Sequence, residues 1–124
     1  MKLIIKIISL SLIMISSYTY SESNHGSLFS FAENMLEIEG TAPNIIFSSN
    51  DEIGELCSDE MIACFRSDKP SNIYIQAGLG EDLINATLVG LMSDYLQFNE
   101  NKNIDYLKSC NVQVDYLLSS FKVN

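Results

Sequence analysis

The side chains in this sequence that could do chemistry are few: one imidazole, His25, three thiols, Cys57, Cys64 and Cys110, and 16 carboxylates. A serine or cysteine nucleophile needs a base within hydrogen-bond reach, and His25 is the one imidazole the chain offers. It stands near the chain start, where segments fray, so neither a Ser-His-Asp site nor a Cys64-His25 thiol site is expected. Cys64 falls inside the apolar run Met61 to Phe65 and reads as an inert buried residue. The paired carboxylates Asp51-Glu52, Asp59-Glu60 and Glu81-Asp82 are adjacent in sequence, so their side chains diverge on a helix or turn. They read as helix-start charge or solvated surface. Gly78-Leu79-Gly80 is too short for a phosphate loop and is followed by two acids, which repel phosphate. The cysteines are separated by 6 and 45 residues, which matches no zinc spacing, and no calcium-loop spacing occurs. The expectation is a protein without catalytic residues, metal or cofactor.

Charge narrows the partners. All 16 acids and five of the seven basic residues follow position 21, giving that part a net charge of −11. Such a surface repels phosphate backbones and anionic lipid headgroups, so no nucleic-acid or membrane-surface binding is expected. Residues 1–21 read as a secretory signal: Lys2 and Lys6, then the 13-residue apolar stretch Leu3 to Ile15, then Thr19-Tyr20-Ser21 for cleavage. The stretch is short of the roughly 20 residues that span a bilayer. Export to a periplasm or beyond follows, with residues 22–124 as one domain. In an oxidising compartment two of the three cysteines are expected to pair and one to stay buried and free. The sequence leaves the pairing open. Cys57 with Cys110 is the first choice, closing a loop of about 50 residues that stabilises by roughly 3 to 4 kcal/mol.

The elements that must position these residues follow from periodicity. Apolar residues at 28, 29, 31, 32, 35, 36 and 38 predict a helix over 27–39, with Gly40 as its stop. Asn44 to Ser48 predicts a strand, and the Ser-Ser-Asn-Asp-Glu segment at 48–52 starts a helical turn reaching Leu56. Met61 to Phe65 and Ile73 to Gln76 predict a hairpin across a Pro/Asp/Asn loop. A long helix begins with Glu81 and Asp82 at its positive end and carries Ile84, Leu88, Leu91, Met92, Tyr95 and Leu96. After a polar break at 99–103, Ile104, Leu107, Cys110, Val114, Leu117, Leu118 and Phe121 predict a final helix. On this stripe Leu91 reads as core, Asp94 as a solvated edge residue, and Gly90 as a point of close approach, since glycine costs about 1 kcal/mol in a helix interior. The fold class is α+β: a small three-stranded sheet with an N-terminal helix and two long C-terminal helices.

The segment Thr87-Leu88-Val89-Gly90-Leu91-Met92-Ser93-Asp94-Tyr95-Leu96-Gln97 resembles the active-site helix of small zincin-like putative metallopeptidase domains, whose pattern is roughly L-V-H-E-L-V-H-Y-L-Q. The resemblance extends back to the hairpin and forward to Cys110-Asn111-Val112-Gln113-Val114-Asp115-Tyr116, covering roughly 57–118. It implies a minimal zincin-like architecture in which two histidines one turn apart bind zinc and a glutamate activates water. Here those positions hold Gly90, Leu91 and Asp94, and Gln113 stands nearest the third, glutamate ligand. None of the four suits the role, so the resemblance implies a pseudoenzyme whose vestigial site is Gly90, Leu91, Asp94 and Gln113.

Two functional expectations follow. One is a non-catalytic exported binding or scaffold module on a degenerate zincin-like domain. The other is a small acidic immunity or inhibitor protein that neutralises a basic protein partner through Asp51, Glu52, Glu55, Asp59 and Glu60.

Overall fold

The computed structural model describes residues 25–122, without the side chains from 121 onward; the expected leader at 1–21 lies outside the described residues. Helix α1 (25–36) is followed by β1 (Asn44–Ser48), α2 (Asn50–Leu56), β2 (Ala63–Phe65), β3 (Asn72–Gln76), α3 (Glu81–Asn101) and α4 (Tyr106–Lys122). The architecture is the α+β arrangement expected, with a three-stranded mixed sheet in the order β1-β3-β2. β3 pairs in parallel with β1, setting Ile45 beside Ile73 and Phe47 beside Ile75, and antiparallel with β2.

Strand alternation builds two cores. Ile73 and Ile75 point to one face with Ile45, Phe47, Ala63 and Phe65. There they meet Leu28, Phe29 and Ala32 of α1, Leu88, Val89, Met92, Tyr95 and Leu96 of α3, and Val112 of α4. Tyr74 points the other way with Ile46 and Cys64, against Ile53 and Leu56 of α2. The sheet therefore separates α2 from the helical hairpin α3-α4. Ser49 starts α2 through a capping box: its hydroxyl accepts from Glu52 N, and its own N–H donates to Glu52. Among the described residues no helix is long and apolar enough to cross a membrane.

Five expectations are corrected. The disulfide joins Cys57 to Cys64, with Cα atoms 5.7 Å apart, and Cys110 is free and exposed. Cys57 cannot reach Cys110, because the former caps α2 on one face of the sheet and the latter lies on α4 over the other. The short bridge ties the end of α2 to strand β2, and its presence fits an oxidising compartment.

Helix α1 stops before Gly40. Glu37 takes the left-handed conformation (φ 59°) and Ile38 N donates back to Glu33 O, a Schellman-type end. Gly40 serves instead where chains crowd: a Cβ there would lie 3.0 Å from Leu96 Cδ2. Strand β2 is shorter than expected, leaving Met61 exposed. His25 is ordered within α1, its ring stacked on Phe47 at 5.9 Å.

The largest correction concerns α4. Its apolar stripe faces outward, with Leu107 69%, Val114 45%, Leu117 39% and Leu118 53% exposed, while Ser109 and Val112 are buried. The cause is Gln97, buried near the end of α3. Its amide donates to Ser109 Oγ (2.9 Å) and its oxygen accepts from Asp105 N (2.9 Å), which turns the polar side of α4 inward.

Candidate functional site

Helices α3 and α4 form an antiparallel pair joined by the short loop at 102–105, with Lys102 in the left-handed conformation (φ 63°) at the turn. Residues that share a helix face recur at three and four positions. On α3 that spacing brings Thr87, Gly90, Leu91 and Asp94 to the side facing α4; on α4 it brings Tyr106, Ser109, Cys110 and Gln113 to meet them. Ala63 of the edge strand β2 closes one end of the resulting open pocket, whose volume is about 260 Å³.

The four positions of the zincin comparison thus line one pocket, although they come from two helices. Gly90 gives the room. A Cβ at this position would meet Gln113 Nε2 at 3.2 Å, and that amide is held in place by donating to Ala86 O at 2.7 Å. The close approach expected of Gly90 is therefore made by a side chain of α4. Leu91 is only half-buried: it touches the core and also lines the pocket.

Asp94 was expected to be solvated; instead it is half-buried and its Oδ1 has no hydrogen-bond partner. Burial pushes its carboxyl above the usual range, and a hydrogen bond from Ser109 opposes that shift. The Ser109 hydroxyl accepts from Gln97, which leaves its own proton for the Asp94 carboxylate. Gln97 thus fixes Ser109 beside the pocket's single carboxylate, whose Oδ1 is buried without a donor.

The groups that line the pocket can form hydrogen bonds to a bound molecule. A carboxylate short of donors accepts from an N–H or pairs with a cation. Thr87, Tyr106 and Gln113 add hydroxyl and amide groups, and Cys110 adds a thiol with no imidazole lining the pocket beside it. Among the described residues no group of three or more His, Cys, Asp or Glu side chains could hold a metal ion.

The acidic candidates lie elsewhere. Asp51, Glu52 and Glu55 on α2, and Asp59 and Glu60 in the turn after it, are all exposed on the far face of the sheet from the pocket. Asp51 and Glu52 begin α2 at the same end of the sheet where Glu81 and Asp82 begin α3, since β1 and β3 run parallel into these two helices. Sequence reasoning missed Thr87, Tyr106, Ser109 and Cys110 as partners of Asp94. Their matched spacing on the two helices was the signal that could have found them.

No family model, curated protein or solved structure matches this chain.

Proposed function

We propose that this protein is a non-catalytic exported binding module, built on a degenerate zincin-like domain, whose binding site is the pocket between α3 and α4. One observation carries the reading: Gly90, Leu91, Asp94 and Gln113, singled out by the zincin comparison, converge on a single open pocket. Gln113 lies directly over Gly90, so a ligand at 113 would stand beside a ligand at 90. In the present residues this geometry offers one carboxylate and neutral hydrogen-bonding groups, which bind but do not activate water.

Metal content tests the reading. The wild-type protein, purified without chelator, should retain no stoichiometric zinc after dialysis. The variant G90H/L91E/D94H/Q113E should gain zinc affinity, because it restores two imidazoles one turn apart and a carboxylate beside the first. One tightly held zinc in the wild type would overturn the non-catalytic reading. A folded variant that takes up no zinc would remove the zincin comparison.

A second reading is favoured by the exposure of Asp51, Glu52, Glu55, Asp59 and Glu60 on one short helix and its following turn. This acidic face would neutralise a basic protein and speed its association at low salt. Reversal of the five to lysine should then slow association sharply at low ionic strength and little at high.

A further inference from the structure

We propose that the Cys57–Cys64 bridge is a redox latch on α2: when a dithiol reductant opens it, α2 leaves the sheet while the rest of the domain stays folded.

The two faces of the sheet carry separate cores. On one face the buried cluster draws side chains from α1, α3, α4 and the strands together. On the other, Ile53 of α2, Cys64 and Tyr74 form a small cluster of their own, with Ile46, Leu56 and Cys57 partly buried beside them. An element with so few buried contacts can open locally at a cost well below that of unfolding the domain. Departure of α2 leaves the larger core untouched.

Little but the bridge holds the far end of α2. The helix has seven residues, and an isolated helix shorter than about 12 residues is marginal in water. Its capping box joins Ser49 to Glu52 within the same segment, so it stiffens the helix without tying it to the sheet. At the other end Leu56 O accepts from Arg66 Nη1 at a long 3.4 Å, and that guanidinium is already paired with Asp68 at 2.7 Å. The covalent tie of Cys57 to Cys64 fixes this end to β2, which pairs with the central strand.

The bridge is also open to attack from one side. Cys64 is 7% exposed, whereas Cys57 is half-buried and is followed by the exposed residues Ser58, Asp59 and Glu60. A thiolate of the reductant attacks Cys57 Sγ, forming a mixed disulfide, and Cys64 leaves as a thiolate that takes up a proton. The second thiol of the reductant then attacks its own sulfur in the mixed disulfide, which frees Cys57 as a thiol and leaves the reductant oxidised. Cys110 cannot intervene as a resolving thiol, because it lies on α4 across the sheet. Release of α2 disperses Asp51, Glu52 and Glu55, so the latch controls whether the acidic face exists as a surface.

Amide hydrogen exchange followed by mass spectrometry tests the latch, with dithiothreitol as the dithiol probe and alkylation to count the thiols freed. After reduction the amides of α2 should exchange at least about tenfold faster, a part of the restraint that a loop this short imposes. They should complete exchange while those of β3 and α3 are still protected. The variant C57A/C64A should show the fast exchange without reductant and no response to it, and Cys110→Ser should respond as the wild type does. Unchanged exchange of α2 after full reduction would overturn the proposal. Exchange of α2, β3 and α3 together in the reduced protein would overturn it as well, making the bridge a support of the whole fold. A bridge that dithiothreitol opens only in urea would refute the access to Cys57.

Discussion

Replacing Gln97 by alanine should unseat α4. Gln97 is 6% exposed, donates to Ser109 Oγ at 2.9 Å and accepts from Asp105 N at 2.9 Å; longer contacts of 3.3 Å run to Ser93 O and Asp105 O. Asp105 is exposed, so water can replace its lost partner, but Ser109 is buried and cannot be reached so easily. A buried polar group left unsatisfied costs about 1 to 3 kcal/mol, and the missing side chain adds a cavity, so the whole change costs about 2 to 4 kcal/mol. For a domain of this size that lowers the melting temperature by roughly 10 to 25 °C. Urea unfolding followed by circular dichroism measures the cost, and the rate of Cys110 alkylation reports whether α4 has turned. Gln97→Glu is the sharper control, because it keeps the side-chain length but replaces the donating amide and sets a second carboxylate near Asp94. It should be at least as damaging at neutral pH. If both variants unfold within about 0.5 kcal/mol of the wild type, a surface-like effect, Gln97 does not set the rotation of α4 and the explanation of its exposed stripe fails.

Non-reducing peptide mapping should find Cys57 bonded to Cys64 and Cys110 open to alkylation in the native protein, and C57A/C64A should cost about 2 to 3 kcal/mol for so short a loop. Asp94→Asn should stabilise the fold at neutral pH. Burial raises the Asp94 pKa, so its ionisation costs stability as pH rises through the raised value, and the advantage of asparagine should vanish as pH falls below 3.8, the ordinary value. Gly90→Ala gains about 1 kcal/mol of helix propensity but pushes on Gln113, which Ala86 O holds at 2.7 Å. Little or no net gain should be seen until Gln113→Ala is added, and a double-mutant cycle in urea measures that coupling.

Much of the fold was legible because local pattern and tertiary need agree. The runs Met61 to Phe65 and Ile73 to Gln76 were expected as a hairpin, which the antiparallel pairing of β2 with β3 bears out, and the apolar spacing from Leu88 to Leu96 buries the side that α3 presents to the sheet. The misread features depend on contacts distant in sequence. The pairing of Cys57 with Cys64 follows from α2 lying on the opposite face from α4, a relation that periodicity does not contain. The orientation of α4 was read from its apolar stripe, yet the buried pair Gln97 and Ser109 overrides that stripe. Glu37 ends α1 where glycine was expected, because backbone hydrogen bonding at the helix end sustains its left-handed conformation. At the site, the sequence supplied Gly90, Leu91, Asp94 and Gln113, but Asp94 was judged by its position on one helix. The residues that bury it belong to the next.

The central claim is that partners bind at the α3-α4 pocket, and site-specific photocrosslinking in cells that produce the protein tests it most directly. A photoreactive residue placed at Tyr106, on the pocket rim, should trap a discrete protein adduct, and one placed at Glu55, on α2 across the sheet, should trap none. An adduct formed from position 55 and not from 106 would contradict the account and assign binding to the acidic face.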